Sequence, residues 1–394
     1  MEQLTCIVVG AGYAGINAVK EIKKTLQNER SGRTLRLILI DKNLYHTRKV
    51  LLFKPAAITQ NITIPLMEFF PSGVEFVQAT VTQIDSDKKR LLCQDAKGNE
   101  STLTYDILVV AVGSVVRQTT AEQGGVALTN IHAASIIHEM WRANLVRVVK
   151  ERSVHERQRL MTIAVTGAGI SGIETSAELA HFVREEAKQL GLDPNAVKII
   201  LFNMNKRLFT EGPTKLGDKL AHILATHGVT VVHDSKVLKE KNGIVTLLGD
   251  KTIPVGLCIW TLGLLPNPML RSIGLPVNDD GFVLVDASYR VQGAHSLYSI
   301  GDCARIVDPA SGLVDGMTCK EASAQAARLG NIVLADLTGN PAPTHKRFMD
   351  FFCFGLGPEQ GLVWTHKWGL DVIFTGKLGW RLRKWTWDIA SLIK

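Results

Sequence analysis

The run Cys6-Ile-Val-Val-Gly10-Ala-Gly12-Tyr-Ala-Gly15 is apolar, breaks into Gly-x-Gly-x-x-Gly, and continues as the amphipathic segment Ile16 to Leu26. Such a stretch is a strand, a tight turn and a helix. Gly10 permits the turn, Gly12 lets the backbone approach a pyrophosphate, and Gly15 allows the helix to pack closely on the strand. The phosphates then sit at the positive helix N-terminus. The next strand, Leu35 to Ile40, ends in Asp41, whose carboxylate can accept hydrogen bonds from ribose hydroxyls. Strand, turn, helix, strand and acid follow in the order that dinucleotide binding needs, against the plainer reading of a glycine turn with no ligand.

The motif recurs. Met161-Thr-Ile-Ala-Val-Thr-Gly167-Ala-Gly169-Ile-Ser-Gly172-Ile-Glu174 repeats the first unit about 157 residues later, and the economical reading is two dinucleotides on two related domains. The alternative is a duplicated domain that no longer binds anything. The second unit departs from the first at its strand end. Val197-Lys-Ile-Ile-Leu-Phe202 runs into Asn203-Met-Asn-Lys206-Arg207, where an NADH site ordinarily carries Asp or Glu. An amide still bonds a ribose hydroxyl but does not repel a 2′-phosphate, and Lys206 and Arg207 are placed to pair with one. NADPH therefore stands level with NADH, unless both basic residues simply face solvent.

Between and beyond the fingerprints the pattern changes. Residues 42 to 73 hold Pro55, Pro65 and Pro71 with weak periodicity and are expected to cover a cofactor. Val74 to Asp85, Lys88 to Gln94 and Thr102 to Leu103 read as a small antiparallel excursion. Tyr105-Asp-Ile-Leu-Val-Val-Ala111-Val-Gly113-Ser and Leu257-Cys-Ile-Trp-Thr-Leu-Gly263 are buried parallel strands. His132 to Gln158 reads as one or two helices linking the domains. Ser296-Leu-Tyr-Ser-Ile-Gly301-Asp302-Cys303 is a strand whose end presents a carboxylate suited to the ribityl hydroxyls of FAD, against an ordinary strand-end aspartate. The helix expected over Lys320 to Leu337 would aim its N-terminal dipole at the flavin pyrimidine ring.

Composition removes several classes. At 394 residues, 46% of them hydrophobic, the chain can bury more than one core. The formal charge of +8 suits nucleotides, an anionic membrane surface or an acidic partner, while the absence of a long basic run interleaved with aromatics argues against nucleic acid. There is no signal-peptide pattern and no window of about 18 uninterrupted apolar residues, so a cytoplasmic chain without a spanning helix is expected. Six cysteines lie far apart without a Cys-x-x-Cys, which disfavours disulfides and zinc, and the histidines show no ligand spacing, so no metal is expected. No cysteine pair follows Asp41, so the redox disulfide of the disulfide reductases is missing.

Gly10-x-Gly12-x-x-Gly15 with Asp41, Tyr105-Asp-x-Leu-Val-Val-Ala-x-Gly113, Gly167-x-Gly169-x-x-Gly172-x-Glu174, Trp260-Thr-x-Gly263-x-x-Pro-Asn-Pro and Ile300-Gly-Asp302 together resemble the two-dinucleotide flavoproteins. Asp41-Lys-Asn-x-Tyr45-His46 and Phe352-Cys-Phe-Gly-Leu-Gly-Pro-Glu-Gln-Gly361 are similar to the type II NADH:quinone oxidoreductases in particular. The resemblance implies an α/β fold of two Rossmann-like domains. A discontinuous FAD domain covers 1–118 and 283–345, an inserted NAD(P)H domain 119–282, and a C-terminal segment 346–394. It implies hydride transfer from NADH or NADPH to FAD and electron transfer on to a quinone. FAD would be held by Gly10, Gly12, Tyr13, Ala14, Gly15, Asp41, Lys42, Val81, Ala111, Gly113, Gly301, Asp302, Ser323 and Ala324. The nicotinamide nucleotide would be held by Gly167, Gly169, Gly172, Asn203 and Gly263. Glu174 matches the family's glutamate beside the nicotinamide and flavin rings, where it would orient the nicotinamide or pass protons; the plainer reading is an acid favouring its helix dipole.

The acceptor is where the pattern loosens. Aligned on Gly330, Ser323-Ala-Gln-Ala-Ala-Arg328 stands where the respiratory enzymes have Ala-Gln-x-Ala-x-Gln, and the anchor after Gly376-Lys-Leu-Gly is expected to be shortened. A quinone would need an apolar tunnel near Arg328, Phe352 and Trp364. A protein carrier or biosynthetic intermediate is the second reading, and a flavin-binding protein with a decayed nicotinamide site, motivated by Asn203, the third. Cys319 and Cys353 stand where sulfide-oxidising relatives use cysteines, but nothing between Cys93 and Cys258 supplies the central one. Leu378, Leu382, Trp385, Ile389 and Leu392 recur at helical spacing beside Lys377, Arg381, Arg383 and Lys384. Such a helix would rest on an anionic membrane surface, on its own FAD domain, or on a homodimer partner.

Overall fold

The computed structural model describes residues 3–27 and 34–393. The framework is β1 (Gln3–Val9), α1 (Tyr13–Gln27), β2 (Thr34–Asp41), α2 (Phe53–Ala57), β3 (Glu75–Gln78), β4 (Thr80–Asp85), β5 (Arg90–Gln94), β6 (Glu100–Thr104) and β7 (Ile107–Val110). It continues through α3 (Ile131–Lys150), β8 (Thr162–Thr166), α4 (Ile170–Gln189), β9 (Lys198–Phe202), α5 (Thr214–Thr226), β10 (Val229–Val232) and β11 (Leu257–Trp260). It closes with β12 (Leu297–Ser299), α6 (Cys319–Thr338), β13 (Asp350–Gly355), β14 (Gly361–Lys367), β15 (Leu370–Thr375) and α7 (Gly376–Ala390).

Two five-stranded sheets dominate. The first runs β12-β7-β1-β2-β3 and the second Val126–Ala127, β11, β8, β9, β10, every neighbouring pair parallel. Parallel sheets are covered on both faces, which is why Ile107–Val110, Thr162–Thr166 and Leu257–Trp260 are buried at every position and read as unbroken apolar runs rather than alternating ones. β12 lies 187 residues beyond the end of β7 yet pairs with it, so the first sheet is assembled from both sides of the second. The two units are also joined by an antiparallel pair, Ser114–Val116 with Leu264–Pro266.

One expectation is corrected here. Val74 to Asp85 is not one strand of an antiparallel excursion: β3 joins the parallel sheet beside β2, and the chain turns at buried Ala79 so that β4 enters the antiparallel sheet β4-β5-β6. Continuous β propensity says nothing about a strand changing partners.

Helix α6 packs along α1 at close range. A Cβ on Gly330 would lie 2.8 Å from Thr25 Oγ1 and 3.1 Å from Glu21 O, so only glycine keeps the helices this near. The start of α6 is fixed by a capping box in which Thr318 and Glu321 satisfy each other's backbone N–H groups, and its end by Gly339 at φ 70°. The chain finishes as a meander, β13-β14-β15, that runs straight into α7.

Candidate functional site

The two fingerprints superimpose in their local physics. Gly10 and Gly167 have φ of 102° and 103°, and each donates its N–H across to the end of the second strand, to Ile40 O at 2.8 Å and Phe202 O at 3.2 Å. A Cβ on Gly15 would lie 1.7 Å from Gly10 O, and one on Gly172 1.8 Å from Gly167 O. Nothing stands within 4 Å of a Cβ on Gly12, Gly169, Gly113 or Gly263. The outer glycines are therefore consumed by packing, and the other four leave open space where a ligand backbone can approach.

In the first unit Asp41 locks the loop. Its Oδ2 accepts from Ala11 N at 2.7 Å and its Oδ1 from Asn43 N at 2.8 Å. His46, fully buried, braces the same loop from beneath: Nδ1–H donates to Ala11 O at 2.9 Å, while Nε2 has no partner among the described residues. Its ring meets Tyr13 and Phe69 edge-on, and burial pushes its pKa down to about 4. Ala14 packs under Gly301, and Ala111 closes over Gly10, whose Cβ would fall 2.5 Å from Ala111 O.

Across the cleft, Asp302 Oδ2 accepts from Ser114 Oγ at 2.7 Å and borders a cavity of about 160 Å³ lined also by Gly301, Ala304, Gly316 and Gln325. Burial pushes the Asp302 carboxyl upward. Lys49, absent from the sequence reading, reaches in to donate to Ser114 O at 2.9 Å; burial lowers its ammonium while Asp302 and Asp41 raise it. Nothing in a segment of weak periodicity marks this lysine, since its role comes from where the fold delivers it. Gln325 holds the same region by accepting from Gly301 N at 2.7 Å. Ser323 donates to Cys319 O one turn back and, with Ala324, lies half-buried early in α6. Lys42 is exposed, and Val81 is buried in β4. The open glycine turn, an acid at each strand end and the capped start of α6 fit an FAD molecule.

Glu174, in the second turn of α4, is 2% exposed. Its Oε1 accepts three donors: Arg383 Nη2 at 2.8 Å, Arg383 Nε at 3.0 Å and Gly355 N at 2.7 Å. One element of each part of the chain meets there: α4 of the second unit, β13 of the meander and the terminal α7. Three donors on one oxygen mark an ionised carboxylate, and its charge keeps the buried Arg383 guanidinium protonated. Burial pushes Glu174 upward against those donors, helped by Glu178 one turn along. Glu178 is itself buried and paired with Lys54 of α2. Arg383, Lys54 and Glu178 were missed in the sequence. In the sequence Arg383 reads like its exposed neighbours, because the phase of α7 relative to the body is not written in its charges.

Three expectations fail on side-chain geometry. Arg207 is not free to meet a phosphate, since its guanidinium donates to the carbonyls of Phe209, Thr210 and Gly212. Asn203 does not face a ribose: it is 4% exposed and its amide turns into its own loop. Arg328 does not join Phe352 and Trp364. It donates to Tyr289 Oη at 2.7 Å, while Phe352 and Trp364 stack at 5.8 Å and pack with Phe209 and Phe354 in an aromatic cluster.

Of the orientations open to the terminal helix, packing of its apolar stripe on the FAD domain is the one the structure does not show. Gly379, Arg383, Thr386, Trp387 and Ala390 are the buried positions, and α7 is fastened to the first unit by Asn17 Nδ2 to Ala390 O at 3.1 Å and by Arg48 to Asp388 at 2.6 Å. The apolar stripe points outward, with Leu378 53%, Trp385 60% and Ile389 46% exposed. The packed face combines Gly379 and Ala390, which permit close approach, with Arg383 and Thr386, which have hydrogen-bond partners, and Trp387, whose Nε1 has none among the described residues. Among the described residues no helix is long and apolar enough to cross a membrane, and no group of three metal-ligating side chains is assembled.

Comparison with known proteins agrees with this geometry. The type II NADH:quinone oxidoreductase of Staphylococcus aureus strain bovine RF122 / ET3-1 is 28% identical over 322 residues, spanning 76% of this chain and 74% of the relative. That of strain NCTC 8325 / PS 47 is 27% identical over the same shares. Among solved structures, NDH2 from Plasmodium falciparum in complex with NADH has a TM-score of 0.82 at 18% identity, covering 98% of this chain and 96% of that one. The sulfide:quinone oxidoreductase of Aquifex aeolicus has a TM-score of 0.75 at 15% identity, covering 98% and 90%. The sequence model of the pyridine nucleotide-disulphide oxidoreductases matches residues 4–328, and the chain belongs to that family.

Proposed function

We propose that this protein is an FAD-dependent NADH dehydrogenase that passes electrons from the nicotinamide nucleotide through the flavin to a quinone. The observation that carries the reading is the duplicated strand-turn-helix cradle, one copy with Asp41 and Asp302 at two strand ends of its sheet and the other beginning the helix that carries Glu174. The S. aureus relatives bear the name of that activity, and no cysteine pair is present beside Asp41 to divert it toward disulfide chemistry. Bound FAD supplies the hydride acceptor and the electron carrier. The chain supplies position and charge: Asp41 and the glycine loop hold the adenosine half, Ser114, Asp302 and Lys49 the ribityl half, and Glu174 and Arg383 fix a charged pair where the two units meet. The strand order supports dividing the chain near 118, 282 and 345 as part of this reading.

The purified protein is expected to be yellow, to bleach anaerobically with NADH, and to recover its colour on addition of a short-chain quinone. Bleaching without recovery would exclude the quinone, and failure to bleach with either nucleotide would exclude the dehydrogenase.

The membrane surface belongs to the same proposal. Trp368 and Leu370 at the β14–β15 turn are 87% and 68% exposed, and with Leu378, Trp385 and Ile389 they supply apolar groups beside Lys367, Lys377, Arg381 and Lys384. Apolar residues rimmed by cations suit the interface of an anionic bilayer.

A further inference from the structure

Asp41 and Asn203 occupy equivalent places in the two cradles and do opposite things. Asp41 accepts hydrogen bonds from the backbone N–H groups of Ala11 and Asn43. Asn203 donates its two amide hydrogens to Asn205 O and Arg207 O, each at 2.9 Å, with His233 Nδ1 also 2.9 Å from that nitrogen, and its Oδ1 accepts from Asn205 N at 3.2 Å. Two carbonyl oxygens converging on one atom require a donor there. A carboxylate oxygen in that place would face both at hydrogen-bond distance with nothing to give, at a cost of about 1–3 kcal/mol for each buried acceptor left unmet. The strand end is thus not a worn aspartate: the loop after β9 is folded around an amide.

That construction sets the charge of the pocket beside it. The place from which an NADH-selective site excludes a 2′-phosphate holds no anion. Arg207 is bound to loop carbonyls and does not reach out, but Lys206 is exposed and has no partner among the described residues. His233 Nδ1 lies 2.9 Å from the Asn203 amide nitrogen. Around the same loop are exposed Lys236 and two exposed carboxylates, Glu211 within the loop and Asp234, whose backbone N–H donates to Asn205 O at 3.3 Å. Resting on the dehydrogenase reading above, we propose that the second cradle accepts NADPH as well as NADH, with Asn203 as the positioning residue that keeps the site free of a strand-end carboxylate and Lys206 as the group that meets the 2′-phosphate.

The test uses the flavin-loaded full chain. Steady-state kcat/KM for NADPH is expected within tenfold of that for NADH, and adenosine 2′,5′-bisphosphate is expected to bind at least as tightly as adenosine 5′-monophosphate by calorimetry. Lys206→Glu places an anion on an exposed loop position and is expected to lower the NADPH to NADH ratio at least tenfold and to weaken the 2′,5′-bisphosphate selectively. Asn203→Asp is expected to lower Tm by several degrees. A preference for NADH above a hundredfold, or a Lys206→Glu ratio unchanged within twofold, overturns the proposal. An Asn203→Asp protein with unaltered Tm overturns the part played by the amide. Should neither nucleotide reduce the flavin, the dehydrogenase reading fails while the two adenosine phosphates still decide this one.

Discussion

Arg383 and Glu174, 209 residues apart in the chain, are joined by two hydrogen bonds of 2.8 and 3.0 Å in a site where both side chains are more than nine-tenths buried. Removing one member of such a pair strands the other, at about 3–5 kcal/mol. Arg383→Leu is therefore expected to lose stability of that order in urea unfolding. The double variant Arg383→Leu, Glu174→Gln is expected to recover much of it, because a neutral amide is far cheaper to bury than an uncompensated carboxylate. Equal losses in the single and double variants would mean that the charges are not coupled.

Glu174→Gln keeps the size of the side chain but removes its charge, leaving Arg383 without its counter-ion. General acid–base participation contributes about 10²–10⁴-fold, so quinone-dependent flavin reoxidation is expected to slow by about a hundredfold in stopped flow. Flavin reduction by NADH, which needs only hydride movement, is expected to change much less. Slowing both steps equally would assign Glu174 to nucleotide positioning alone.

His46 gives a pH signature. Its folded pKa, about 4, lies below the ordinary 6.5, so between those values the unfolded chain binds a proton that the folded one refuses, and stability falls as pH drops through that window. The gap corresponds to about 3 kcal/mol. Thermal melts of the wild type are expected to decline from pH 7 to pH 4, and His46→Phe is expected to flatten that slope. An equal slope in both would place the acid sensitivity elsewhere.

How much of this was legible beforehand divides by the range of the forces involved. Strand-turn-helix order is local, so both cradles, Asp41 and the α6 region could be read from glycine spacing and apolar runs. Lys49, Arg383 and the inward turn of Asn203 depend on contacts across the fold. In α7 two faces compete, and the apolar one is the obvious choice for the core. Gly379 and Ala390 prevail because they permit close packing, and Arg383 because Glu174 awaits it. The break at Ala79 escaped for the same reason, since partner exchange between sheets leaves no periodic trace.

The two faces of α7 predict separable variants. Leu378→Ser with Trp385→Ser and Ile389→Ser alters only exposed positions and is expected to abolish co-sedimentation with anionic vesicles while leaving Tm within about a degree. Trp387→Ala, on the buried face, is expected to cost about 3–5 kcal/mol. Deleting the helix after Thr375 would confound the two by unpairing Glu174. Undiminished sedimentation of the triple variant would end the membrane proposal.

Gly15 offers a check on the first cradle. Its added Cβ would overlap Gly10 O at 1.7 Å, so Gly15→Ala must push the helix away from the turn that receives the phosphates. Loss of bound FAD is expected in absorbance at the flavin band, and full occupancy would overturn the assignment.

Because α7 is pinned to Asn17 and Arg48 of one cradle and to Glu174 of the other, it acts as a latch across the seam between them. A prosthetic group seated behind a closed latch leaves only when the latch lifts. Flavin escape should therefore be slow and keep pace with fraying of the terminal helix, and lipid that held the helix down would make the holoprotein longer-lived still.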